Sequence, residues 1–172
     1  MKFLIPAVIL ALLAMGGVVI ISLQKSPQQT TTTTNSIPSK EEGVMVAGYE
    51  GKVLAGKTAP LLDFKKADYD KALTTNKVIL LYFYANWCPI CRVEAPNELY
   101  PAFNELTSDA VIGFRVNYND SNTDEDEKAL AREFAITYQH SKIILKNGKE
   151  VLKSLDTWDR NQYLSEIARV LQ

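Results

Sequence analysis

The sequence predicts an α/β architecture, a central mixed β-sheet flanked by helices, preceded by an N-terminal transmembrane helix. Three observations lead there. Strand-like and amphipathic helix-like segments alternate from about Val44 to the C-terminus, the pattern of a sheet covered by helices. The dipeptide Asn147-Gly148 stands between two apolar runs, the strongest short hairpin signal, and adds an antiparallel pair to strands otherwise separated by helices. Phe3 to Leu23 is a run of 21 residues without a charged side chain, long enough to cross a bilayer as a helix.

At the N-terminus, Met1-Lys2 gives a short positive start to the apolar run, as in an export signal. The run continues through Gly16-Gly17 into Val18-Val19-Ile20-Ile21, beyond an ordinary signal core. No small-x-small cleavage site follows it, and no cysteine near its end could carry a lipid. Residues 1–23 are therefore expected to be an uncleaved transmembrane anchor, with a cleaved signal as the alternative. An anchor with Lys2 inside puts the protein in the cell membrane, single-pass, with its C-terminal domain extracytoplasmic. Residues 24–43 hold Gln28-Gln29, Thr30 to Thr34 and Pro38 and are too polar to bury a core, so they read as a flexible linker. Residues 44–172 form the folded domain.

Within that domain, Val44 to Leu54 is broken by Gly48 and Gly51 and is expected to be an irregular first strand or an extension. Lys65 to Thr75 spaces Tyr69, Ala72 and Leu73 along one helical face. Val78 to Tyr84 is almost wholly apolar, as a strand buried on both faces must be. A helix is expected from Cys88 to about Leu106, bent at Pro96 and near Pro101, followed by a strand over Val111 to Tyr118. The acidic block Asp120 to Glu127 lacks the glycine and terminal glutamate of a calcium loop. Thr123 with Asp126 three residues on suits a helix start instead, with acids at the positive end of the dipole. Ile143 to Leu145 and Val151-Leu152 flank the hairpin turn, and Asp159 to Leu171 closes the chain as an amphipathic helix. The expected order is βαβαβαββα.

Charge excludes one class of partner. Lys and Arg total 19 against 20 Asp and Glu, interspersed, for a net charge of −1, whereas binding nucleic acid needs a basic surface. Nothing marks a nucleotide, haem or flavin site, so no cofactor is expected. Cys88 and Cys91 lie too close together to staple a small scaffold, which leaves a reactive pair or half of a metal site.

Their placement decides between these. Tyr84-Ala85-Asn86-Trp87-Cys88-Pro89-Ile90-Cys91 sits where a buried strand ends and a helix begins. Pro89 suits the first helical position, where its missing N–H costs nothing, and this puts Cys88 at the N-cap. Unpaired N–H groups and the helix dipole there favour a thiolate, the attacking species in disulfide exchange. Cys91, one turn on, faces back to resolve a mixed disulfide and is expected to be the more buried and less acidic. A closed zinc site lacks its fourth ligand, because His140 is the only other soft donor.

With its apolar strand, Ala85-x-Trp87-Cys88-x-x-Cys91, basic Arg92 and Pro96 five positions on, the segment Tyr82 to Pro96 resembles the active-site segment of the thioredoxin superfamily. The likeness extends through Arg115-Val116-Asn117 and Lys146-Asn147-Gly148-Lys149 and covers about Lys65 to Leu171. It implies a thioredoxin-like fold and a thiol-disulfide oxidoreductase with Cys88 as nucleophile and Cys91 as resolver. Trp87, Pro89 and His140 would support the site. The implied partners are protein thiol or disulfide substrates and a redox partner protein.

Two positions depart from the family pattern. His140, in Tyr138-Gln139-His140-Ser141, stands where the family carries a cis-proline against its cysteines. A non-proline peptide strongly prefers trans, so this loop is expected to differ, and His140 could serve the Cys88 thiolate as an imidazolium or as a proton shuttle. Tyr82 replaces a buried aspartate that assists the resolving cysteine, and Glu94 is expected to be a solvated surface residue. The alternative function is Cu(I) or Zn(II) handling through Cys88, Cys91 and His140, two thiolates and an imidazole.

Overall fold

The computed structural model describes residues 46–172. The expected anchor (1–23) and linker (24–43) lie outside these residues. Among the described residues no helix is long and apolar enough to cross a membrane. The alternation resolves into a six-stranded sheet of β1 (Val53–Ala55), β2 (Leu61–Asp63), β3 (Val78–Tyr84), β4 (Val111–Asn117), β5 (Lys142–Lys146) and β6 (Lys149–Ser154). The spatial order is β1-β2-β4-β3-β5-β6. β2 and β3 run parallel to β4, and the other pairings are antiparallel, so the sheet is mixed as expected.

β3 shows why its run is uninterrupted. Val78, Leu80 and Tyr82 enter one core, where they meet Ala95, Leu99 and Phe103 and the Tyr163–Ile167–Val170 stripe of α5 (Arg160–Leu171). Ile79, Leu81 and Phe83 enter the other core, with Tyr69 of α1 (Lys66–Leu73) and Leu130 of α4 (Glu125–Glu133). The side-chain period of two sends alternate residues to opposite layers, and both layers are covered by helices.

Three expectations are corrected. Of the strand or extension expected over Val44 to Leu54, the described part is an extension up to residue 52 with strand only in the short β1, and a further strand, β2, pairs with it ahead of α1. At three residues each, neither is long enough to display an alternation. Residues 48–51 are instead tied to α1. Asp68 accepts the N–H groups of Glu50 and Gly51, and Lys71 donates to the Gly48 carbonyl at 2.5 Å. Second, the helix expected from Cys88 to about Leu106 forms, but it is not one regular α-helix: it divides into α2 (Pro89–Glu94), a π-helical turn over Ala95–Leu99 and α3 (Tyr100–Glu105). Pro96 cannot donate a helical bond, and the widened turn absorbs the gap, with the Tyr100 N–H reaching back to the Ala95 carbonyl.

Third, the start of α4 is one residue later than expected. Asp124 is the N-cap and Glu127 its reciprocal partner, while Thr123 bonds back to Asp120. Glu127 also accepts both the backbone N–H and the side-chain amide of Asn117, tying the helix to the end of β4. The hairpin forms as expected, with Asn147 (φ 53°) and Gly148 (φ 71°) both left-handed and Lys146 paired to Lys149. Replacing Asp124 with Ala removes the cap and should cost about 1 kcal/mol, measured by urea denaturation.

Candidate active site

β3 delivers the chain to a braced loop. The Asn86 N–H donates to Asp120 at 2.7 Å, the Asn86 amide to Ser121 at 3.0 Å, and the Trp87 indole N–H to the Asn119 carbonyl at 2.9 Å. Cys88 then caps α2 with extended dihedrals, Pro89 takes the first turn, and Cys88 Sγ accepts the Cys91 N–H at 3.3 Å. This is the N-cap geometry expected from the sequence. Both thiols are free and buried, Cys88 1% exposed and Cys91 0%. In the same segment the apolar side chains of Trp87, Ile90 and Val93 stand exposed, as does Tyr138 beside His140.

Cys91 is held as a thiol. Burial, which penalises the charged form, pushes its pKa up to about 11, and the neighbouring Cys88 adds to the rise. The Ala85 backbone and the Tyr82 hydroxyl act the other way. Cys91 is thus a weakly acidic thiol, while the expected difference in burial between the two cysteines is absent, since both are fully buried.

Glu94 is the main correction to the expected site. It is 1% exposed, not solvated, and its carboxylate is an ion-pair partner of the fully buried Lys142 at 2.5 Å. The same carboxylate accepts the Tyr163 hydroxyl at 2.7 Å, the Trp158 N–H at 2.9 Å and the Tyr82 hydroxyl at 3.2 Å. Lys142 also donates to the Asp156 carbonyl at 2.6 Å and lies within 6 Å of the rings of Tyr82, Trp158 and Tyr163. Burial lowers the Lys142 pKa, and the Glu94 charge opposes that fall. Tyr82, in place of an acid, lies between this pair and Cys91 and interacts with both. Two signals could have found the pair. Glu94 shares the inner face of α2 one turn after Cys91, and Lys142 occupies the core-facing parity of β5 with Ile144, directly across from Tyr82.

His140 does meet the cysteines. One of its ring nitrogens and the two sulfurs lie within 4.8 Å of one another. The residue is 5% exposed, its Nδ1 has no hydrogen-bond partner, and its ring stands edge-on to Tyr138 at 5.2 Å. Its N–H donates to the Phe83 carbonyl at 2.7 Å, and its backbone is left-handed at φ 53°, a strained choice for a residue with a Cβ. Burial first, and then the Lys142 charge, lower its pKa. The ring is neutral near pH 7, so of the two roles the sequence left open for it the imidazolium is not the resting form, and a proton shuttle is the one compatible with it.

Known proteins carry the same pattern. The thioredoxin family model matches residues 60–169, well over half of the chain. The chain belongs to the thioredoxin family. Thioredoxin H4 of Arabidopsis thaliana is 33% identical over 112 residues, 63% of this chain and 82% of that protein. The thiol:disulfide interchange protein DsbE of Pseudomonas fluorescens biotype C is 33% identical over 73 residues, 40% of this chain and 38% of the other. Among solved structures, Trxlp from Edwardsiella tarda EIB202 superposes with a TM-score of 0.52 at 25% identity, covering 62% of this chain and 97% of that one. With its Cys-x-x-Cys pair, this thioredoxin-family chain is a thiol-disulfide oxidoreductase.

Two predictions follow from the burial of these charges. Replacing Glu94 with Leu strands the Lys142 ammonium and should cost about 3–5 kcal/mol, most of it recovered by Glu94→Leu/Lys142→Met, as read by urea denaturation. In the reduced protein, thiolate absorbance should show a late step near pH 11 that Cys91→Ser abolishes, because burial holds the Cys91 proton beyond the ordinary thiol range.

Proposed function

We propose that the protein reduces disulfides of extracytoplasmic proteins from a membrane tether, with Cys88 as the nucleophile and Cys91 as the resolver. The observation that carries the reading is Cys88 at the N-cap of α2, its sulfur accepting the Cys91 N–H, in a segment whose Trp87 and Ile90 side chains stand exposed. The Cys88 thiolate attacks one sulfur of a substrate disulfide, and the other substrate sulfur leaves as a thiol. Cys91 then attacks Cys88 Sγ and releases the second substrate thiol. Two electrons pass to the substrate, and a Cys88–Cys91 disulfide remains. A redox partner protein restores the dithiol.

Proton acceptors stand close to both sulfurs. The neutral His140 ring lies beside the pair, and the Tyr82 hydroxyl links Cys91 to Glu94. Trp87 and Pro89 support the site by position, Trp87 bracing the loop and Pro89 starting the helix. One feature favours reduction over oxidation. Pro89-Ile90 offers no polar side chain to stabilise a thiolate further. Exchange is favoured over dedicated metal handling, since the relatives named above are thioredoxins and an interchange protein. The location rests on the uncharged run Phe3 to Leu23 and the polar stretch 24–43 that separates it from the domain.

Cys91→Ser should accumulate a mixed disulfide with substrate, visible on non-reducing gels, and Cys88→Ser should form none. A mixed disulfide on Cys88→Ser reverses the roles. The Cys88–Cys91 potential, measured against glutathione, should fall below about −200 mV; a value near that of the strong oxidant DsbA, about −120 mV, overturns the reductase direction. The full chain should sediment with membranes and be cleaved in intact cells by added protease, and recovery in the soluble cytoplasmic fraction overturns the tether.

A further inference from the structure

We propose that the reduced site also binds one copper(I) ion through Cys88 Sγ, Cys91 Sγ and a ring nitrogen of His140, and that holding the ion stops disulfide exchange. The donors already converge, all within 4.8 Å of one another. Metal–sulfur bonds of about 2.3 Å and metal–nitrogen bonds of about 2.0 Å in a trigonal plane put donors roughly 4 Å apart, so the site needs to contract by less than about 1 Å. The His140 side chain supplies an independent observation. It is 5% exposed, and Nδ1 has no hydrogen-bond partner. A buried polar atom left without a partner carries a desolvation cost that a bound cation would remove.

The donor set selects the metal. Two thiolates and an imidazole are soft ligands suited to copper(I). A structural zinc site closes with four ligands, and among the described residues no fourth Cys, His, Asp or Glu groups with these three. Tyr84 and Ala85 pack against the two cysteines on the protein side. Binding replaces two thiol protons by one cation and leaves a net negative cluster, with no change in the oxidation state of copper or sulfur. The Lys142 ammonium acts electrostatically on both Cys91 and His140, and so offsets that charge. Redox state gates the site, since a Cys88–Cys91 disulfide has no thiolates.

Anaerobic titration of the reduced full chain with copper(I) buffered by bicinchoninate tests this. One ion per chain is expected, with none taken up by the Cys88–Cys91 disulfide form. His140→Asn keeps a residue that tolerates the left-handed backbone but removes the ring, and affinity should drop by about tenfold or more with the loss of one of three donors. If that variant does not fold, His140→Gly, which accepts positive φ without strain, reads the same loss. One equivalent of copper(I) should stop insulin reduction, and excess chelator should restore it. No uptake by the reduced chain, unchanged affinity without the ring, zinc(II) held more tightly than copper(I), or exchange undisturbed by bound copper each overturns the proposal. Only the inhibitory half rests on the exchange reading, and the two fail separately. A chain that exchanges disulfides without taking copper loses the metal site, whereas one that takes copper and reduces nothing loses the exchange role.

Discussion

Strand β3 has no solvent face and no free edge. Its alternate residues fill two different cores, while β4 pairs with it along Val78 to Tyr84 and β5 along Ile79 to Tyr82. A slip of one residue would exchange the contents of the two cores, so the register is strongly set. That constraint determines where the strand stops, and hence where Cys88 begins the next helix. The loop beyond it is held by hydrogen bonds to Asn119, Asp120 and Ser121, which positions the cysteines by rigid neighbours on both sides.

The same strand places Tyr82 between Cys91 and a buried ion pair. Glu94 and Lys142 each lose hydration by entering the core, and attraction alone seldom offsets that loss in a protein interior. Here the remaining lone pairs and protons are nearly all used, by Tyr163, the Trp158 N–H, Tyr82 and the Asp156 carbonyl. A network satisfied to this extent orders its surroundings strongly. It joins the inner face of α2, β5 and the start of α5 through one carboxylate, three residues beyond the resolving cysteine. The strand offers Tyr82 here, and the buried acid comes from the adjacent helix as Glu94.

His140 shows the opposite balance. Its backbone is strained, its ring is buried, and one nitrogen is left without a hydrogen bond. Features that cost stability in this way gather at functional sites, where geometry is retained against its local preference. The residue closes the third side of the cysteine pair, with its N–H anchored on the carbonyl of Phe83 at the end of β3. Strand, helix and loop therefore meet at the two sulfurs, each fixed by a backbone hydrogen bond and not by side-chain packing alone.

Local features of this protein were determined by its sequence alone, because each depends on residues a few positions apart. The apolar run of β3, the Asn147-Gly148 turn, the helix start at Cys88-Pro89 and the stripe of α5 were all legible in this way. So was the spacing of the two cysteines. The short β1 and β2 were not, since three residues carry no period, and the α4 cap was misplaced by one residue because Thr123 and Asp124 both suit the role. Tertiary structure alone decided the burial of Glu94, its pairing with Lys142, and the neutral His140 ring over the sulfurs. A charged residue on a helix or strand is solvated by default, and only a partner brought from another element can make its burial tolerable. That partner is chosen by the packing of the sheet, which no local pattern records.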